Sequence, residues 1–170
     1  SPRGRSPLQE NVNIFEEEYF AINKSLANLL RNANARAVLL IDRSGQLITS
    51  AGNLSTLDVP SIASLSAADF EAASLLASLV GEKNFSTLFH QGEKENIYAS
   101  LVASRVIIIV IFDERTTLGL IRVRVKQTTQ ELSTIFMGIF RKLEIQGEPR
   151  AGLGEDFASE AEAEIENLFK

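Results

Sequence analysis

A near-solid β-branched run, Val106 to Phe112, meets an abrupt polar break at Asp113-Glu114-Arg115-Thr116. The run reads as a central strand of a sheet. A long amphipathic segment follows, and it carries two signals. Ile121-Arg122-Val123-Arg124-Val125-Lys126 alternates, as a strand does. Leu118, Ile121, Val125, Leu132, Ile135, Phe136, Ile139, Phe140 and Leu143 instead trace a helical stripe over a much longer window. Length arbitrates for one helix, about 116–143, packed across the same sheet.

Upstream, Phe15, Tyr19, Ile22, Leu26, Leu29, Leu30 and Ala33 recur at three- and four-residue steps, which predicts a helix over 14–33. Glu16, Glu17 and Glu18 lie in its first turn, where the dipole favours them, and Asn34 can terminate it. Ala37–Ile41 and Gln46–Ser50 predict a hairpin about Asp42-Arg43-Ser44-Gly45, with glycine placed for positive φ. Leu65-Ser66-Ala67-Ala68-Asp69-Phe70 predicts a second helix start. Ser66 fits the N-cap, Asp69 fits N3, and Leu65 and Phe70 fit a hydrophobic staple. That helix runs to Val80, with Gly81 at C′. An alternative start near Asp58, with Pro60 in the first turn, would lengthen it. Phe85–His90, Asn96–Ala103 and Arg105–Phe112 read as three further strands.

The order α-β-β-α-β-β-β-α predicts an α+β domain over 14–143, a five-stranded antiparallel sheet with helices on its faces. Residues 144–155, with Gly147, Pro149, Gly152 and Gly154, read as a linker. Residues 156–170 carry Phe157, Ala161, Ile165, Leu168 and Phe169 on one stripe, an amphipathic helix. Residues 1–13 read as a disordered leader.

Composition removes several function classes. The 170 residues contain no cysteine, which excludes disulfides, a thiolate nucleophile and sulfur-ligated metal. Glu144 to Lys170 holds eight acidic and two basic residues, a net of −6, while the remainder is +1. The body is nearly neutral, which argues against nucleic acid as a partner. No apolar run is expected to reach the ~20 residues of a membrane span, so no membrane insertion is expected. The phosphate-loop pattern Gly-x-x-x-x-Gly-Lys is absent, as are a nucleophile–base pair and a metal cluster with ligand spacing. The expectation is an interaction module with no catalytic site of its own and no cofactor.

A set of short pieces in order goes further. These are Leu40-Ile41-Asp42-x-x-Gly45-Gln46-Leu47-Ile48, Ser50-Ala51-Gly52, Gly81-Glu82-x-x-Phe85, Phe89-His90-x-Gly92, Ser104-Arg105-Val106, Phe112-Asp113-x-Arg115-Thr116-x-Leu118-Gly119-Leu120 and Ile165-x-x-Leu168-Phe169. With this order of elements, the chain resembles the Roadblock/dynein-light-chain family over about residues 15–143. The resemblance implies a cytoplasmic homodimer that accelerates GTP hydrolysis by a small Ras-like GTPase of the MglA type in its GTP state. It implies a mechanism that positions the GTPase's own catalytic residues without an arginine finger, and a role in cell polarity and motility. The wider family includes dimeric scaffolds without such activity, which is the alternative.

Several residues are candidates for these contacts. On the second helix, Phe70, Ala73, Leu76, Ala77 and Val80 suit packing on the sheet. Ala68, Glu71, Ala72, Leu75 and Leu79 lie on the other side, and form the expected partner surface. Phe85, Leu88 and Phe89 belong to a charge-free edge strand, through which the resemblance implies homodimer pairing. Ile165, Leu168 and Phe169 are the tail's expected anchors on a partner. Arg115, Arg122 and Arg124 have the chemistry of arginine fingers, but read better as a solvated basic helix face with Arg115 tying down the strand–helix turn. His90, the only histidine, has no partner with ligand spacing and reads as a structural strand end.

Overall fold

The computed structural model describes residues 15–146. The elements run α1 (Glu16–Asn32), β1 (Ala37–Asp42), β2 (Leu47–Gly52), α2 (Val59–Leu79), β3 (Thr87–Gln91), β4 (Asn96–Val102), β5 (Val106–Phe112) and α3 (Leu118–Gln146). The strands form one antiparallel sheet in the order β2-β1-β5-β4-β3. β5 is the central strand, as its apolar run predicts.

All seven residues of β5 are buried, and so are all six of β1. The two strands pair from Ala37 opposite Ile111 to Asp42 opposite Val106. Their side chains alternate between two cores. Val38, Leu40, Val106, Ile108, Val110 and Phe112 join one cluster with Ile22, Leu26 and Leu29 of α1 and Leu132, Phe136 and Ile139 of α3. Leu39, Ile41, Ile107, Ile109 and Ile111 join the other, beneath Ala63, Ala67 and Phe70 of α2. The sheet thus separates a two-helix layer from a one-helix layer. The alternation Ile121 to Lys126 is helical, and only Ile121 and Val125 of its apolar residues are buried. α3 packs beside α1, where Ser25 Oγ donates to Glu131 Oε2 at 2.7 Å and Lys142 pairs with Glu18.

The structure corrects several boundaries. The cap of α2 is Asp58, whose carboxylate accepts from Ser61 N at 3.2 Å and Ser61 Oγ at 2.7 Å, with Pro60 in the first turn. The longer alternative therefore holds. Ser66 and Asp69 lie mid-helix, and Leu65 is 70% exposed, so no staple forms there. β3 begins at Thr87, which leaves Phe85 in the preceding loop. α3 continues through Gln146, so residues 144–146 of the expected linker are helical. The stretch 156–170, with Ile165, Leu168 and Phe169, lies outside the described residues, as does the leader over 1–13.

Two turns fix the ends of the sheet. Gly45 has φ +93°, and a Cβ there would stand 2.9 Å from Ser64 Cα, so the β1–β2 turn needs glycine both for its dihedral and for its approach to α2. The β4–β5 turn is different. Ala103 (φ 51°) and Ser104 (φ 62°) are both left-handed, with Arg105 N donating to Val102 O at 3.1 Å. This is a two-residue hairpin turn that favours Asn-Gly, built here from residues that carry a steric penalty in that region. Replacing the pair by Ala103→Asn with Ser104→Gly should raise the unfolding free energy by about 1 kcal/mol. Urea titration at fixed protein concentration should show a higher midpoint with an unchanged slope.

Candidate interaction surface on the second helix

α2 is apolar around most of its circumference, yet only its small residues and Phe70 are buried. Ala63, Ala67, Phe70, Ala73 and Ala77 face the sheet. Alanines let the helix sit close, and the cost is little buried area. Leu76 and Val80, expected to pack on the sheet, are 59% and 71% exposed. They stand with Leu65, Leu75 and Leu79, which are also well exposed. Ala68, Glu71 and Ala72 are exposed too. α2 and its C-cap Val80 thus present five large apolar side chains to solvent, which makes this a candidate interaction surface. Ala68, Ala72, Leu75 and Leu79 recur at i, i+4, i+7 and i+11, so they share one face.

α2 also overturns the expectation that no segment reaches membrane-spanning length. At 21 residues, with an 18-residue stretch of mean hydropathy 1.3, it passes on length and composition. Its packing on the sheet, with Asp69 and Glu71 in mid-helix, accounts for it as a layer of the domain.

The neighbouring sheet edge is β3, Thr87–Gln91, a strand without a charged residue other than the titratable His90. Leu88 packs toward the α2-side core and Phe89 toward the opposite one, stacked on Phe112 with ring centroids 6.1 Å apart. Both are half-buried. What the edge offers outward is chiefly its backbone, with Phe85 at 37% exposure just ahead of the strand. A cleft of about 300 Å³ lies between α2 and the sheet, with Ile62, Leu65, Ser66 and Ile97 among its walls. At its rim His90 Nε2 meets Asp69 Oδ2 at 2.5 Å. His90 does have a partner, then, one that sequence spacing could not disclose because it comes from another element.

The arginines lie elsewhere. Arg122 and Arg124 belong to α3, across the sheet from α2, and Arg124 donates to Gln127 Oε1 at 3.3 Å. Arg115 Nε donates to Asp113 Oδ1 at 2.9 Å, its backbone N to the same oxygen at 3.0 Å, and its carbonyl accepts from Asn34 Nδ2. The Arg115 hydrogen bonds hold the Asp113 carboxyl below its usual range, and the same bond raises the guanidinium. Arg115 ties down the turn, as read from the sequence. No group of three or more His, Asp or Glu able to hold a metal occurs among the described residues.

The sequence matches the Roadblock/LC7 domain over residues 22–112. Among solved structures, Myxococcus xanthus MglB is similar at 46% identity and a TM-score of 0.69, covering 72% of this chain and 92% of that one. The gliding protein MglB of Thermus thermophilus is similar at 30% identity and a TM-score of 0.66, covering 69% and 90%. An MglB in a tetrameric arrangement is similar at 30% identity and 0.67, covering 69% and 89%. No curated protein sequence matches significantly. The chain belongs to the Roadblock/LC7 family. The Roadblock match ends at Phe112, so α3 lies beyond it, although α3 completes one of the two cores.

The candidate surface lies on α2, whose first turn is capped by Asp58. Hydrogen bonds from the Ser61 hydroxyl and backbone depress the Asp58 carboxyl, and Asp113 is depressed by Arg115. A depressed carboxylate stabilises the fold fully above its unfolded-state value of about 3.9, and that contribution is lost as pH falls through the lower folded-state value. Asp58→Asn keeps a capping oxygen but cannot titrate. Its melting temperature should therefore fall less steeply as pH drops below about 4 than that of the parent chain, measured by circular dichroism.

Proposed function

We propose that this chain is a non-enzymatic, homodimeric activator of a small Ras-like GTPase of the MglA type, acting on its GTP state in the cytoplasm. The observation that carries the reading is the 46% identity to Myxococcus xanthus MglB across nearly all of that protein. The exposed apolar face of α2 supports it, because the described residues of one protomer leave that face uncovered. The name gliding protein, borne by a similar chain, supports a process in cell polarity and motility.

In this reading the dimer forms across the α2 and β3 side. Leu76, Val80 and Phe85 cover one another's counterparts about a two-fold axis, and the open β3 edges of the two protomers meet with Leu88 and Phe89 beneath them. A stable pairing of this kind buries about 1,600 Å² in total. Light scattering at micromolar concentration should give twice the 18.7 kDa chain mass; a monomer mass would contradict the assembly.

Ala68, Glu71, Ala72, Leu75 and Leu79 then form the docking face for the GTPase, doubled by the two-fold axis. Small side chains at 68 and 72 permit close approach. Such a face has no cation to place on a developing phosphate charge, and Arg122 and Arg124 belong to the opposite layer. Activation therefore works through positioning: the docked face holds the GTPase's own catalytic groups, and these supply the electrostatic stabilisation. The acidic tail, with Ile165, Leu168 and Phe169 as anchors, contacts the GTPase at a second place and modulates binding or nucleotide exchange.

Single-turnover GTP hydrolysis by a cognate MglA-type GTPase should accelerate when the dimer is added. Ala68→Arg or Ala72→Arg should reduce that stimulation more than tenfold while the dimer mass and melting temperature stay unchanged. Normal stimulation by both variants would remove the docking face from α2. No stimulation by the parent chain at saturation would favour a dimeric Roadblock scaffold instead.

A further inference from the structure

The layer opposite α2 holds a second apolar surface that the proposed assembly leaves open. A groove of about 450 Å³ runs between α1 and α3, with Ala21, Lys24, Ser25 and Asn28 on one wall and Glu131 and Ile135 on the other. Its floor is tied by the Ser25–Glu131 hydrogen bond. Phe20, one turn from Lys24 on α1, is 70% exposed, an aromatic ring with no core to enter. At the end of α3, Ile145 is 83% exposed.

We infer that this groove is the docking site for the chain's own C-terminal segment, residues 156–169, and that the domain thereby holds its tail against the α1–α3 layer. Three observations converge on that occupant. The first is position. α3 runs antiparallel to α1, with Lys142 paired to Glu18, so the chain leaves the described domain beside the groove. From Gln146 back to Ile135 is about 16 Å along the helix. The nine residues 147–155 reach about 30 Å when extended, enough to reverse direction and return. The second is charge. α3 carries five basic and two acidic residues; α1 carries Lys24 and Arg31 against Glu16, Glu17 and Glu18, so the two helices together are +2. Residues 147–170 carry seven acidic and two basic. The third is shape. The stripe Phe157, Ala161, Ile165 and Leu168 would span about 16 Å if helical; the groove wall from Ala21 to Asn28 covers about 10 Å of that, and Phe20 stands one residue before it.

The inference is independent of any GTPase. A tail held on its own domain is withheld from other partners, so groove and partner would compete for the same apolar anchors.

The absence of native cysteine makes the test direct. In the full chain without GTPase, Asn28→Cys with Ala161→Cys places one thiol on the groove wall and one on the tail stripe. Ser78→Cys with Ala161→Cys is the control on α2. With a short bis-maleimide, the groove pair should cross-link at least tenfold faster than the control, and the product should keep monomer mass under denaturing electrophoresis. Ile165→Asp with Leu168→Asp should bring the groove pair down to the control rate, and Lys24→Glu should slow it at low salt, with unchanged melting temperatures. Equal rates for groove and control pairs would overturn the inference. A cross-linked product of twice the chain mass would also overturn it, since the occupant would then be a second copy's tail.

Discussion

β5 sets the terms for the rest of the molecule. A strand of seven buried apolar residues, four facing one way and three the other, must be covered on both faces. Each buried Ile or Val side chain contributes about 1.5–3 kcal/mol, so neither face can remain wet. A two-layer sheet-and-helix packing cannot satisfy it. The chain answers with three helices, and divides them unequally. α1 and α3 together cover one face with large side chains, Ile22, Leu26 and Leu29 against Leu132, Phe136 and Ile139. α2 is the one helix on the other, through alanines and Phe70, with partly buried Val59 and Ile62 at its start and Leu54 and Leu57 from the segment before it.

That inequality explains where the surface apolar residues lie. A helix that meets its sheet through Ala63, Ala67, Ala73 and Ala77 sits close to the strands and leaves its bulky residues on the remaining arc. Leu65, Leu75, Leu76, Leu79 and Val80 cannot reach the core from there. The same helix is long and apolar enough to resemble a membrane span. Its composition suits a helix covered on all sides, and within one protomer it is covered on one. Among the described residues nothing covers the rest of it, which is the physical case behind the assembly proposed on this side.

The fold was legible wherever burial is dictated by a single dominant period. The β5 run, the hairpin about Gly45 and the stripe of α3 all carry one signal far stronger than its rival. For 121–126 the strand-like alternation lost, because Arg122, Val123 and Lys126 face solvent while Ile121 and Val125 align with Leu132, Phe136 and Ile139. Where two local signals had similar strength, reading failed. Ser66 and Asp69 have good capping chemistry, but Asp58 with Pro60 provides an earlier start, and nothing in the following residues breaks a helix. Assigning the faces of α2 failed at Leu76 and Val80 for a related reason. On a helix apolar all round, hydrophobicity cannot tell core from surface, whereas side-chain size could: the alanines mark the close contact. The His90–Asp69 pair was invisible because its members are brought together only by the crossing of α2 over the sheet.

The placement of charge bears on how such a module can act on a GTPase. An arginine finger must hold its guanidinium within hydrogen-bond reach of the transferring phosphoryl group, in a site from which water is excluded. Arg115 is engaged by Asp113 within its own turn. Arg122 and Arg124 stand on α3, separated from the α2 surface by the thickness of the sheet. A face of Ala68, Ala72, Leu75 and Leu79, with Glu71 as its one charge, has a different capability. It binds through buried area, without direction, and its energy can be used to hold a partner's mobile segment in one of several conformations. On the proposed reading, the differential affinity of this face for the catalytically competent conformation sets the largest acceleration available. A tenfold rise in the competent population needs about 1.4 kcal/mol of that difference. The burial of one leucine in the partner's competent conformation alone would suffice.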